Sequence, residues 1–226
     1  MTERFGQQIA VLLAGAVTAA GDLGLGRLRD SGADILITQV DDDQPASRAA
    51  LATHPDLSRC TLGDLRTIPL PQRSYDIVAA VLLLDRIHHA ELVLDRLTGA
   101  VKPGGLLLLQ VRDRDAAAGF LDRVLPGWLR GAIWRRHRPG RPGPYPAVYE
   151  RLASVRGVQS YVLLRGLVIA ERQPLGGLAG GLCPAPRGYL AAQRAVAWLS
   201  GHRLTAGHEE FLYVLRKPEN RFARIL

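Results

Sequence analysis

The stretch Ser74–Val111, SYDIVAAVLLLDRIHHAELVLDRLTGAVKPGGLLLLQV, decides the fold. Its first part, Tyr75 to Leu84, carries a continuous apolar run rather than an alternating one. That is the pattern of a strand buried on both faces. From Ala90 to Val101 the period changes. Leu92, Val93, Leu97 and Val101 share one helical stripe, while Glu91, Asp95 and Arg96 lie off it. Lys102-Pro103-Gly104-Gly105 stops that helix and turns the chain. Leu106 to Val111 is then a second buried strand. Strand, helix and strand in this order predict a parallel βαβ unit.

The same alternation extends in both directions. Upstream, strands are expected at Ile9–Ala14, Asp34–Val40 and Ser58–Leu62. Helices are expected at Thr18–Asp30 and at Gln44–Thr53, where Pro45 suits a first turn. Downstream, Asp113–Val124 reads as a helix. Pro126 to Pro146 is broken by prolines and glycines and does not suit a regular element throughout. It is expected as an insertion or lid reaching about residue 153. Ser154 caps a helix running to about Arg165, and a strand follows at Leu167–Arg172. A second loop-and-helix insertion is expected at about 173–206, with a helix at Gly188–Leu199, and Glu210–Arg216 is the final strand. The whole chain reads as one α/β domain.

Composition agrees with a folded domain. The chain has 226 residues, of which 47% are hydrophobic and 22% charged, so a mainly disordered protein is excluded. No apolar run reaches the length of a membrane-spanning helix, and the N-terminus lacks a signal-peptide pattern. A cytoplasmic protein is the expectation. Cys60 and Cys183 form neither a disulfide framework nor a metal-ligand pattern, so no metal is expected. The net charge is +8, and only Lys102 and Lys217 among its cations are lysines. The one concentrated basic stretch, Trp128 to Arg141, carries Arg130, Arg135, Arg136, Arg138 and Arg141. A stretch of this kind attracts phosphate or an anionic surface, or is simply a solvated insertion. Nucleic acid is not the expected partner.

Four stretches resemble the class I S-adenosylmethionine (SAM)-dependent methyltransferase family. Gly63-Asp64-Leu65, followed by Pro69-Leu70-Pro71, is similar to its acidic motif after the third strand. Ser74-Tyr75-Asp76-Ile77-Val78 is similar to the start of its fourth strand. Ile87-His88-His89 resembles its histidine-containing turn. Leu97 through Lys102-Pro103-Gly104-Gly105 to Leu108 resembles its Lys-Pro-Gly-Gly turn and fifth strand. The resemblance implies a doubly wound, mostly parallel seven-stranded sheet with an antiparallel last strand, Glu210–Arg216. It implies a SAM cofactor held by Gly15, Asp41, Asp64, Leu65 and Leu82, and transfer to a small or medium, fairly apolar acceptor.

The chemistry of such a site follows from the sheet. Ligands of open α/β sheets sit outside the carboxyl ends of the strands, at the switch point. A nucleoside needs an acid for its ribose hydroxyls. Asp41 ends the second strand and Asp64 follows the third. His88 and His89 are the candidate proton acceptors, with Asp85 at the same rim. Each has a plainer reading: strand-end acids cap the next turn, and histidines fill turns. Trp128, Trp134, Tyr145 and Tyr149 either cover a substrate or anchor the insertion. The first loop departs from the family's Gly-x-Gly-x-Gly pattern. Gly15 and Thr18 fit, but Leu13, Val17 and Ala19 replace an acid and two glycines. That departure motivates a second reading: a methyltransferase-like protein without SAM, serving as a partner subunit or a SAM-independent catalyst. A homodimer is a further expectation.

Overall fold

A computed structural model of the chain describes residues 8–15, 34–45, 47–48, 60–137, 146–175 and 187–219. The expected helix at Thr18–Asp30, Val17 and Ala19 of the first loop, most of the helix at Gln44–Thr53, Tyr145 and Cys183 lie outside these residues.

Seven strands form one sheet in the order β3-β2-β1-β4-β5-β7-β6. They are β1 Ile9–Gly15, β2 Ile35–Asp41, β3 Cys60–Leu62, β4 Tyr75–Val81, β5 Val101–Arg112, β6 Val168–Leu175 and β7 Glu210–Arg216. β1 pairs in parallel with β2 and β4, β2 with β3, and β4 with β5. β7 runs antiparallel to both β5 and β6. The last strand is therefore the one reversed strand, as expected. The order turns back at β1 and β4, which creates the switch point at their carboxyl ends.

The βαβ unit forms as expected, but within the expected stripe Leu92 is 50% exposed, Leu94 is buried in its place, and Val101 opens β5 rather than ending the helix. Helix α1, Ala90–Ala100, buries Val93, Leu94 and Leu97 against the sheet. On that face Leu12, Val78, Ala80, Leu107 and Leu109 complete the main core. Each such leucine contributes about 1.5–3 kcal/mol by leaving water. The opposite face carries Val11, Leu13, Ile77, Ala79 and Val81. Two boundaries differ from expectation for local reasons. β4 stops at Val81 because Leu82 adopts φ +47°, a left-handed conformation that cannot continue a strand. The Lys102–Gly105 segment belongs to β5 rather than to a separate turn. Tyr75 pairs with Val101 but Ile77 with Leu106, so the extra residues bulge out of the ladder, with Gly104 at φ +78°.

Beyond the sheet lie α2 (Ala117–Val124), α3 (Gly127–His137), α4 (Val155–Arg165) and α5 (Arg187–Leu199). α2 begins later than the sequence suggests. Asp113 first makes a turn, accepting the Asp115 N–H on its side chain (3.0 Å) and the Ala116 N–H on its carbonyl (3.1 Å). α3 is a regular helix inside the proline-rich segment. No proline falls between Pro126 and Pro139, and the Pro126 carbonyl accepts the N–H groups of Leu129 and Arg130 to start it. α4 is capped as predicted: Ser154 Oγ accepts the Gly157 N–H at 3.0 Å, and Gly166 ends it at φ +74°.

Candidate functional site

The carboxyl ends of β1, β2 and β4 meet at the switch point. β1 ends on Gly15 at φ +92°. A Cβ there would lie 2.5 Å from the Val81 carbonyl oxygen, so glycine is what lets β1 and β4 close together at their tips. The first-loop glycine thus serves strand approach, whatever it also offers a ligand. Across β1, residues Gln39 and Asp41 point to one side of β2 and are fully buried.

Asp41 is the centre of this region. One carboxylate oxygen, Oδ1, accepts the Asp42 N–H at 2.8 Å and a hydrogen bond from Arg86 Nη2. Arg86 comes from the turn after β4 and also reaches Asp42, Nη2 to Oδ1 at 3.1 Å. Both side chains of the Asp41–Arg86 pair have 0% exposure. Among the described residues the other oxygen of Asp41, Oδ2, has no hydrogen-bond partner, and neither has the side-chain amide of Gln39. Burial pushes the Asp41 carboxyl up to about 7, although the Arg86 charge pulls the other way.

The second predicted acid is placed differently. Asp64 is exposed and grips Arg66, Oδ2 to Nη2 at 2.8 Å. Hydrogen bonds from Arg66 hold its carboxyl down at about 2. Leu65 is buried, and its carbonyl accepts from Arg96 Nη1 at 3.0 Å. Leu82 lies half-buried at the tip of β4, its N–H given to the Gln110 carbonyl at 2.9 Å. A non-glycine residue held left-handed beside a switch point is local strain of the kind found where ligands sit.

The two histidines do not enter this region. His88 is 77% exposed, 4.0 Å from Glu150. His89 is exposed and occupies the position before α1 at φ +57°. The Glu150 carboxylate takes the His89 and Ala90 N–H groups, at 2.8 and 3.0 Å, and so caps α1. The plainer turn reading describes their geometry.

A second charged group lies beyond the tips of β4 and β5, and sequence reasoning caught only parts of it. Asp85 is 3% exposed, and its backbone carbonyl accepts from Val148 and Tyr149. Its side chain faces Arg112, the last residue of β5, at 4.0 Å. Arg112 also faces Glu210 at the start of β7 (3.5 Å) and Asp122 of α2 (3.8 Å). Asp122 in turn accepts from Arg130 of α3 (2.9 Å) and from the Tyr149 hydroxyl (2.9 Å). Arg130, one of the basic stretch, is therefore used inside the fold. Of the aromatic residues expected on a lid, Tyr149 is buried while Trp128 is 74% exposed. Burial pushes Asp85 above the usual carboxylate range, against the pull of Arg112.

The sequence signal for these missed residues was the Asp85–Arg86 dipeptide. It is a pair of charges set between Leu82-Leu83-Leu84 and Ile87, where apolar neighbours leave little choice but burial. No cluster of three metal-ligating side chains occurs among the described residues. Nor is any described helix long and apolar enough to cross a membrane.

Residues 20–109 match a family model described as a methyltransferase domain. The matched stretch is similar to that family over less than half of the chain. The match begins just beyond Ala19, the end of the altered first loop. Solved structures share the fold at low identity. A SAM-dependent methyltransferase from Archaeoglobus fulgidus has a TM-score of 0.54 at 11% identity, covering 94% of this chain and 88% of that one. A structure described as a complex between the Haloferax volcanii Trm112 methyltransferase activator and a methyltransferase gives a TM-score of 0.55 at 16% identity, covering 96% and 86%. The [4+2]-cyclase SpnF gives 0.52 at 16% identity, covering 94% and 76%. No curated protein matches the chain in sequence.

Proposed function

We propose that this chain uses SAM at the carboxyl ends of β1, β2 and β4 and methylates a small molecule held beyond β4 and β5. The observation that carries the cofactor half is Asp41 Oδ2. It is a buried acceptor atom with no partner among the described residues, on the strand end where a nucleoside needs an acid. A hydroxyl donor would satisfy it, and an orphaned buried acceptor otherwise costs about 1–3 kcal/mol. The donor set therefore fits a ribose. Asp41 would hold the ribose hydroxyl, with Arg86 fixing Oδ1 and so the carboxylate plane. Gly15 and Leu82 would line the neighbouring strand tips. Asp64 and Leu65 would border the base, with Asp64 kept in place by Arg66.

Once bound, SAM supplies a methyl group on a positively charged sulfur. The chain's own contribution is placement and exclusion of water, because methyl transfer needs in-line positioning above all. The charged lining beyond β4 and β5 favours a polar rather than an apolar acceptor. His88 and His89, at the surface, are not assigned a proton-transfer role.

Two observations favour the reading without cofactor. Arg86 already occupies one oxygen of the ribose acid, and Leu13, Val17 and Ala19 depart from the first-loop pattern. In that reading the chain works beside a partner or as another catalyst. Isothermal titration with S-adenosylhomocysteine separates the two. Saturable binding by the unaltered chain, lost in Asp41→Ala, supports the proposed function. Absence of heat at millimolar ligand removes it.

A further inference from the structure

Asp113 and His208 form a hydrogen-bonded pair that the proposed function does not employ. Asp113 follows the last residue of β5 and His208 lies just before β7. The antiparallel pairing of those strands brings both to one rim of the sheet, the rim at which β1, β2 and β4 end. His208 Nε2 is 2.9 Å from Asp113 Oδ2. Asp113 is itself held firmly. Its Oδ1 accepts the Asp115 N–H at 3.0 Å, its carbonyl accepts the Ala116 N–H at 3.1 Å, and its own N–H goes to the Glu209 carbonyl at 2.9 Å. The imidazole also lies against Phe211, with ring centroids 4.1 Å apart. A carboxylate at one edge and an aromatic ring at one face therefore set its orientation. A carboxylate only accepts, so Nε2 carries the hydrogen and, in the neutral ring, Nδ1 carries the lone pair. Among the described residues nothing else hydrogen-bonds to this ring. The His208 side chain is 18% exposed, against 4% for Asp113. Solvent thus reaches the imidazole, and with Nε2 turned to Asp113 the nitrogen left to meet a ligand is Nδ1. Gln110 pairs with Val81 at the tip of β4, and Asp113 lies three residues further along. At about 3.3 Å per residue that is roughly 10 Å beyond the β4 tip, room for a small molecule between the two.

We propose that His208 is the catalytic base that takes a proton from the acceptor, that Asp113 positions it, and that the acceptor carries a phenolic or enolic hydroxyl. A neutral amine already holds its lone pair and a carboxylate its charge, so neither needs a base. A hydroxyl on saturated carbon holds its proton too tightly for an imidazole. A hydroxyl on unsaturated carbon is the nucleophile that a histidine base suits. In the step the O–H bond breaks with its electron pair left on oxygen, and the proton forms an N–H bond at His208 Nδ1. The imidazolium donates its Nε2–H to Asp113, whose negative charge offsets the new positive one. The oxygen's freed pair goes to the methyl carbon, whose former bonding pair stays on sulfur, and the proton later leaves Nδ1 for water.

The inference deepens the proposed function and rests on it for the methyl transfer, but proton removal is read without cofactor. 4-Nitrophenol absorbs differently as phenol and as phenolate, and its methyl ether, 4-nitroanisole, has no such proton to lose. The full chain is titrated into each, at a pH at which free 4-nitrophenol is mostly protonated. Bound 4-nitrophenol should show the phenolate band. His208→Gln should lower that band at least about tenfold, while its melting-temperature response to 4-nitroanisole stays as in the unaltered chain. Asp113→Asn should lower the band as well, because the ring loses the charge that stabilises its protonated form. A purely structural pair would move the responses to both probes together. A second measurement covers the case in which these variants do not fold. In the unaltered chain, nitrogen NMR of the His208 ring should show Nδ1 gaining a proton with 4-nitrophenol and not with 4-nitroanisole. No phenolate band at saturating protein, a band retained in His208→Gln, or a His208 ring unchanged by 4-nitrophenol would overturn the inference. A band that depends on His208, in a chain that binds no S-adenosylhomocysteine, would leave the base and its acceptor class standing and refute the cofactor reading alone.

Discussion

Replacing Arg86 with methionine tests the electrostatics of the switch point. Both members of the Asp41–Arg86 pair are fully buried. Removing one partner leaves a charge with no solvent to stabilise it, at about 3–5 kcal/mol. Protonation relieves that cost, which makes the loss depend on pH. Asp41 lies at about 7 in the folded protein against an ordinary value of 3.8. A carboxyl raised on folding adds stability below its unfolded value, and that stability is lost as pH rises through its folded value. Between about pH 4 and pH 7 the slope approaches 1.4 kcal/mol per pH unit for this one group. In Arg86→Met the carboxyl rises further, so at pH 5 Asp41 is neutral and the variant loses little. At pH 8 it loses the full amount. Asp41→Asn/Arg86→Met should recover most of that loss, since neither charge then remains. Urea unfolding monitored by circular dichroism at the two pH values gives the four free energies. A loss of equal size at pH 5 and pH 8, or a double variant no more stable than Arg86→Met at pH 8, would refute this reasoning.

Other expectations follow from single contacts. Gly15→Ala should destabilise by about 2 kcal/mol or more in urea unfolding, because the new Cβ meets the Val81 carbonyl at 2.5 Å and the left-handed backbone is strained for alanine. Ser154→Ala should cost about 1 kcal/mol by the same assay, through loss of the Gly157 N–H bond that starts α4. Glu150→Ala should cost about 1 kcal/mol and raise amide exchange at His89 and Ala90, whose N–H groups lose their carboxylate. His88→Ala and His89→Asn should change S-adenosylhomocysteine affinity by less than about twofold in calorimetry, as expected of surface positions.

The sequence carried the sheet because its signals are local. The unbroken apolar run of β4, the stripe of α1 and the Ser154 cap each lie within a few residues of the structure they cause. The left-handed turn at Leu82 had no such signal, since leucine rarely adopts it and only the packing around the strand tip enforces it. The helix within the proline-rich segment was legible in principle, from the gap between Pro126 and Pro139. The candidate site was harder to read because its contacts join distant segments. Asp41 was found as a strand-end acid, but its partner Arg86 is 45 positions away. Glu210 meets Arg112 across 98 positions, through a strand pairing that only the folded sheet creates. The histidines were misleading for the opposite reason. Their turn is local and recognisable, yet the Glu150 cap orients it toward solvent.

A crystal structure with S-adenosylhomocysteine tests the central claim most directly. The account predicts adenosine density over the tips of β1, β2 and β4, with a ribose hydroxyl donating to Asp41 Oδ2. Crystals grown at saturating ligand that show Asp41 and Arg86 still closed on each other, with no ligand at those strand ends, would contradict it.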